Sequence, residues 1–376
     1  MRICIIGAGI GGSCAALKLA AAGRTVVLID KAKAPMSRTS AMNPGRSALG
    51  FHYTDLATGY QMIEGSNHFD CMFCDMRIED PGARYFVVKD SQVSAEEYLH
   101  ICQLLQAKYP DLYYRVLHEQ EYEDEVDKNQ IVLGIQTKEQ LINIPKLVAT
   151  INHQLKEAKN ITILTDHEVV DAKKEGEQFE LFFKNNPSVK ADRVINAAWE
   201  YRHKIDSFLG HKPSFDFTNR LKVLAKVQLP DNMVDTHSMM FVRGPFAMMA
   251  NSRDGTAFCT YAPVTNYSQT AEIAPPEHWE QMITSDQMTE EKKVLGNKIV
   301  EGVSGYIPNI CHATLLEVRA GVIYSEGDAD PFDPQSAMHA RDKSGISELM
   351  PGWFSLDTGK LILGPYYASQ LVEMLK

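Results

Sequence analysis

Residues 1–30 read "MRICIIGAGIGGSCAALKLAAAGRTVVLID", with glycines at 7, 9, 11 and 12 directly after the first apolar run. Glycine loses more backbone freedom on folding than any other residue, so this cluster needs a reason. It serves a tight turn, a close backbone approach, or a leader that never folds. A secretory leader has roughly 7–15 unbroken apolar residues after its basic start. Here Ile3 to Ile6 is a short run, and Lys18 breaks the next one. The leader reading fails. Instead, residues 2–6 predict a short buried strand. "SCAALKLAAAG" then sets Ala15, Ala16, Leu19 and Ala20 at helical spacing and stops at Gly23, a common residue just past a helix end. "TVVLID" predicts a second strand that ends at Asp30. The glycines therefore form the strand-to-helix turn of a βαβ unit.

Within that unit Gly7, Gly9 and Gly12 occupy the glycine positions of GxGxxG. The first permits the tight turn, the second lets a pyrophosphate approach the backbone, and the third lets helix and strand pack closely. The helix N-terminus presents unpaired N–H groups and a positive dipole end to the anion. Asp30 follows about 20 residues on, where an acid accepts hydrogen bonds from ribose hydroxyls. A carboxylate there repels a 2′-phosphate, so NADP is not expected at this turn. A dinucleotide is.

A domain built for NAD would continue with further βα units. This chain runs instead into "KAKAPMSRTSAMNPGRSALGFHYTD", a long polar stretch rich in Ser, Asn, Gly and Pro. The pattern returns later, with Leu147, Ile151 and Leu155 on one helical face. "NITILTDHEVVDAKK", "QFELFFK" and "DRVINAAWE" follow as predicted strands.

At 376 residues and 44% hydrophobic, the chain can bury a large core and is long enough for two or three domains. A net charge of -10 argues against nucleic acid and against an anionic membrane surface. No window approaches the roughly 18 apolar residues of a membrane span. Seven cysteines in this length do not make a disulfide scaffold and fit a reducing cytoplasm. Cys71 and Cys74 have CxxC spacing, but no second pair completes a zinc site, so buried free thiols and no metal are expected.

An N-terminal GxGxxG, the loop "TSAMNPG", the strand "HEVVDA" and the segment "INAAWE" together resemble the FAD-dependent D-amino-acid oxidase superfamily, which includes glycine and sarcosine oxidases and L-2-hydroxyglutarate oxidase. The likeness is good over the first fifty or so residues, moderate over 141–200 and loose at the C-terminus. It implies an α/β fold: a Rossmann-like FAD-binding domain built from residues 1–75, 141–215 and 315–376. Residues 76–140 and 216–314 would form a second, antiparallel-sheet substrate domain over the flavin. It also implies FAD contacts at Gly7, Ala8, Gly9, Ile10, Gly11, Gly12, Asp30 and Lys31. Further contacts fall in the loop at Arg38, Thr39, Ser40, Ala41, Asn43 and Gly45, then at Val169, Ala197 and Trp199. The closing segment "DTGKLILGPYYASQLVEML" adds Gly359, Lys360 and Leu361. A lysine or backbone N–H at this turn would stabilise negative charge developing near flavin N1. Alternatively, Lys360 is a solvated lysine.

The pattern breaks at the substrate end. Many amine-oxidising members carry an arginine late in a strand to bind the substrate carboxylate, and here Ile323 stands at that position, with Arg319 upstream. His339 and Arg341 could bind an anion instead, or Arg341 could simply pair with Asp342 or Glu348. His52 could be a base, a substrate donor, a covalent flavin ligand or a structural histidine. His52, Tyr324 and Arg341 are the catalytic candidates. The expected activity is oxidation of a C–N or C–O bond in a small polar, anionic substrate by hydride transfer to flavin N5, with O2 or another electron acceptor. Two alternatives stay open. "EGDADPFDP" resembles the GD segment of flavin aromatic hydroxylases, which consume NAD(P)H, and a bound dinucleotide could also serve structure alone.

Overall fold

The computed structural model describes residues 1–376 except 245, 334 and 337–340. Strand Arg2–Ile6 and strand Thr25–Ile29 are short, apolar and buried along four of their five residues, as strands covered on both faces must be. They pair in parallel, Ile3 beside Val26 and Ile6 beside Ile29. Helix Ile10–Ala21 makes the crossover between them. The full sheet has six strands, in the order Gly345–Met350, Trp353–Asp357, Arg193–Asn196, Arg2–Ile6, Thr25–Ile29 and Ile161–Leu164. Only the first of these runs antiparallel to its neighbour. Helices Ile10–Ala21, Leu56–Met72, Ile144–Glu157 and Gly364–Met374 cover one face, burying Ile5, Leu19, Phe69, Leu147 and Leu371 together. A three-stranded sheet, Val169–Glu175, Gln178–Phe183 and Val189–Ala191, covers the other through Phe179, Leu181 and Trp353.

The second layer is a nine-stranded, mostly antiparallel sheet. Its long pair is Phe217–Gln228 against Thr314–Glu326, antiparallel over nearly their whole length. Leu221, Val223 and Ala225 point to one face, into a core with Trp279, Ile299 and Val303. Alternation then leaves Arg220, Lys222 and Leu224 on the other face. Helix Ala95–Lys108 packs on the same sheet through Tyr98 and Leu105. Its capping box is formed as the sequence signals: Ser94 N–H donates to Glu97 Oε2 at 2.9 Å, and Glu97 N–H donates to Ser94 Oγ at 3.2 Å. Ser94→Ala should lower stability by about 1 kcal/mol, read as a shifted urea midpoint with unchanged slope.

Two expectations need correction. Strand Thr314–Glu326 belongs to the second sheet, so the last cofactor-side segment begins after it rather than at residue 315. The pairing partner lies far away in sequence, and no local pattern reveals it. Cys71 and Cys74 are free but exposed, because they lie at and just beyond the end of helix Leu56–Met72, away from its packed face. Among the described residues, no helix is long and apolar enough to cross a membrane, and no group of three or more His, Cys, Asp or Glu could hold a metal ion.

Candidate active site

The turn after the first strand shapes a cleft at the carboxyl ends of the parallel strands. Gly7 has φ +98°, a conformation that L side chains rarely adopt, and a Cβ on it would lie 2.5 Å from the Ala197 carbonyl oxygen. At Gly12 a Cβ would lie 1.8 Å from the Gly7 carbonyl oxygen. Helix and turn can meet only because both side chains are absent. Ile10 N–H, at the start of the helix, donates to Ser40 Oγ at 3.0 Å, which ties the polar loop across the turn. Asp30 accepts from Ala8 N–H at 2.5 Å and from Ala32 N–H at 2.7 Å. Burial still raises its pKa from the ordinary carboxylate value, against those two hydrogen bonds and the Arg38 charge.

The cleft is lined by Gly7, Gly9, Ile10, Gly11, Asp30 and Lys31, then by Arg38, Thr39, Ser40 and Asn43. Val169, Ala197 and Trp199 form a further wall, and Gly359, Lys360 and Leu361 close one end. Four expected contacts do not line it. Ala8 is buried beneath the turn, where its N–H holds Asp30, and Gly12 serves the helix–strand contact. Ala41 N–H bonds back to the Arg38 carbonyl inside the loop. Gly45, at φ +82°, packs against Ile142, whose carbonyl oxygen would lie 2.4 Å from a Cβ.

Across the cleft mouth, Glu280 of the short helix His278–Thr284 reaches from the second layer. It bonds Lys31 Nζ at 3.1 Å and pairs with Arg38, which also holds Glu200 at 2.9 Å. Trp199 Nε1 donates to the Val322 carbonyl at 2.7 Å, and Val322 N–H donates to Thr39 Oγ1 at 3.2 Å. The peptide of Val322 is thus held from both sides by the cofactor half.

A second cavity meets the first at Thr39, Asn43, Ile323, Lys360 and Leu361. Six cationic side chains line it: Arg46, Arg220, Lys222, Arg243, Arg341 and Lys360. No Asp or Glu does so among the described residues. Arg46 is backed by buried Glu139 at 3.7 Å, and Tyr85 OH donates to the same carboxylate at 2.5 Å. Arg220 donates to Ser325 Oγ at 3.1 Å. Burial, reinforced by the neighbouring Arg220, Arg341 and Arg46 charges, pushes Lys222 down to about 7. Burial first, then Arg341, Arg46, Lys222 and Arg220, holds Lys360 well below the usual lysine value. Its Nζ sits 5.9 Å from the centre of the Tyr53 ring.

Of the three catalytic candidates, His52 and Arg341 line this cavity and Tyr324 does not. Tyr324 points to the opposite side of its strand, where its hydroxyl meets His203 Nε2 at 3.1 Å and its ring packs on Phe217. Ile323, one residue earlier, faces the cavity; a single register step separates the two faces. Arg319 turns to Glu317 at 2.7 Å. Arg341 is buried rather than a surface partner of Asp342 or Glu348, and its backbone N–H donates to Thr58 Oγ1 at 3.0 Å. His339 lies outside the described residues. Asp328 of the GD segment lines neither cavity, and its carboxylate accepts from Ala329 N–H at 2.7 Å. Arg46, Arg220, Lys222 and Arg243 were missed from sequence. The alternation "NRLKVLAK" does carry a signal, since Arg220 and Lys222 share one strand face.

The family profile described as FAD dependent oxidoreductase (DAO) matches residues 2–332. The chain belongs to the DAO family. Its enzymes are FAD-dependent oxidoreductases, and FAD is the cofactor here. The aromatic-hydroxylase and non-catalytic readings give way to that membership. No curated protein matches the chain by sequence. The DAO fold is shared with glycine oxidase from Geobacillus kaustophilus, at 13% identity and a TM-score of 0.73 over 99% of this chain and 95% of that one. Iminodiacetate oxidase from Chelativorans sp. gives 15%, 0.73, 100% and 95%. FAD-bound L-alpha-glycerophosphate oxidase from Mycoplasma pneumoniae gives 18%, 0.73, 100% and 94%. The first cavity fits the family's cofactor. Its glycines leave the backbone bare, its helix N-terminus faces the cleft, and Asp30 lies at the end of the second strand. A Cβ at Gly11 would lie 2.3 Å from Thr358 Oγ1, so the Thr358 side chain would have to shift.

Proposed function

We propose that this DAO-family enzyme oxidises a C–N or C–O bond of a small anionic substrate held in the second cavity. The observation that carries the proposal is the cation-lined wall meeting the cofactor cleft at Lys360 and Ile323. FAD, when bound, accepts the hydride at flavin N5. The chain's own part is positioning and electrostatics. Gly7, Gly9, Ile10, Gly11 and Asp30 would hold the pyrophosphate and ribose. Lys31, Arg38, Thr39, Ser40, Asn43, Val169, Ala197, Trp199, Gly359 and Leu361 would line the rest of the cofactor.

Arg341 would take the substrate anion in place of the arginine absent at Ile323, through a bidentate pair. His52 lines the same cavity. The domain division proposed from sequence, with the strand Thr314–Glu326 moved to the substrate side, would put these groups where the two cavities meet. The two catalytic candidates thus come from the cofactor half and close on cations of the second sheet.

Purified protein should be yellow and bleach anaerobically with one member of a panel of anionic amines and hydroxy acids. It should not consume NAD(P)H. Bleaching by neutral analogues equally well would remove the anionic reading. Lys360→Met should lower the flavin midpoint potential by about 30 mV, equivalent to ~1.4 kcal/mol for a two-electron couple. The measurement is a spectroelectrochemical titration; an unchanged potential takes Lys360 away from the flavin.

A further inference from the structure

Resting on the reading of the second cavity as the substrate site, we propose that it takes a substrate with two negative charges. One would sit on Arg220 and Lys222 of the second sheet, and the other on Arg341 and Tyr53 of the cofactor half. The shared chemistry is a compact dianion, supplied by a phosphate monoester or by a dicarboxylate.

Charge balance is the first support. Four arginines and two lysines share one partly enclosed space; the buried acid Glu139 already serves Arg46, Tyr85 and the Ala48 and Leu49 N–H groups, and Asp357 and Asp333, which do not line the cavity, act on Arg341 and Arg243. Gathering like charges away from water is costly unless an opposite charge joins them. A single carboxylate would leave most of that repulsion in place.

The second support is the arrangement. Arg220 and Lys222 lie two residues apart on one strand face, whereas Arg341 and Tyr53 come from separate segments anchored on the other half. Lys222 Nζ has no carboxylate within ion-pair distance among the described residues. The Tyr53 hydroxyl is buried, in a residue 2% exposed, and has no hydrogen-bond partner among the described residues. A buried hydroxyl in that position is a donor waiting for an acceptor. Arg341 and Arg46, and against them Glu139, act on its charge. An anion bound to Arg341 would supply the acceptor.

A third consequence concerns protons. Lys222 faces Arg220 on its own strand, and Arg341, Arg46 and Lys360 from the cofactor half. These cations and burial lower its pKa to about 7, so above that value it is largely neutral in the free enzyme. A bound dianion favours the protonated form, and binding therefore takes up a proton. Affinity is fully present below the lowered pKa and declines as pH rises through it.

The experiment titrates FAD-loaded protein with acetate, malonate and inorganic phosphate at matched ionic strength, read by calorimetry and by the flavin spectrum. Malonate or phosphate should bind at least about tenfold more tightly than acetate, and the tighter of the two tells a dicarboxylate from a phosphate ester. Sulfate, a dianion throughout, should bind about tenfold more weakly near pH 8 than near pH 6. Measured in a Lys360→Met background, which removes the other lysine of lowered pKa in this cavity, Lys222→Arg should keep dianion binding and abolish that pH step, and Tyr53→Phe should weaken dianions more than acetate. Acetate binding as tightly as malonate and phosphate, or a pH step that survives in Lys222→Arg in that background, would overturn the proposal. Calorimetry needs no turnover, so a failed bleaching panel and a failed anion titration are separate results.

Discussion

Gly12→Val protein should purify without FAD and melt far below wild type. The Cβ that valine adds would lie 1.8 Å from the Gly7 carbonyl oxygen and 3.3 Å from Ile5 Cγ2. Neither neighbour can move aside. Gly7 is fixed at φ +98°, and Ile5 is fully buried in the central strand. Helix Ile10–Ala21 must therefore lift from the sheet, opening the core around Ala15, Ala16 and Leu19. Overpacking a close contact costs about 1–3 kcal/mol, and a backbone clash of this depth belongs at or above the upper end. Gly9→Val makes the comparison informative. Its Cβ would meet only Ser40 Oγ, at 3.2 Å, and that side chain can rotate. Gly9→Val should stay folded and lose FAD; Gly12→Val should lose both. Flavin absorbance per protein and thermal melting by circular dichroism separate the two. Wild-type values for Gly12→Val would refute the close-packed turn.

Asp206→Ala should be among the most destabilising single changes in the chain. Asp206 is 3% exposed and accepts from Asn196 Nδ2 at 2.8 Å, Trp353 Nε1 at 2.8 Å and Ser355 Oγ at 2.6 Å. Those donors sit on two neighbouring parallel strands, and Asp206 lies on the helix Arg202–Ser207 that packs against them. Alanine leaves three buried donors without their acceptor, at about 1–3 kcal/mol each before relaxation. A loss on the order of 4 kcal/mol is expected in chemical denaturation, once water fills part of the space. Asp206→Asn keeps one acceptor oxygen and should lose roughly half as much. Equal, small losses for both variants would show that the three donors find other partners.

The cofactor half was legible because its signals are local. Strand, turn, helix and acid follow one another within residues 2–30, each with its own period or backbone requirement. The capping box at Ser94 and Glu97 and the proline near the start of the last helix are equally local. The substrate cavity was not legible in the same way. Arg46, Arg220, Arg243 and Arg341 come from distant segments, only Arg220 of them on the paired strands Phe217–Gln228 and Thr314–Glu326, and they line one cavity only after folding. Alternation tells which residues share a face but not which face meets the flavin, and Tyr324 was misplaced by that one unknown. Asp206 carried no signal at all. Its acceptor role depends on Trp353 and Ser355, which are near it only after folding.

The grip on the Val322 peptide bears on how substrate gets in. A cleft between two bodies joined by a single flexible strap can open like a jaw. Here the backbone passes between the two halves four times, and Thr39 and Trp199 pin one of the crossing strands by its own peptide group. Rotating one half against the other would bend every passage at once and break both pins. Four passages and two pins tie the halves together more firmly than a single strap would. Ligand exchange is then expected to answer to substitutions at the rim of the cationic cavity more than to a swing of whole domains.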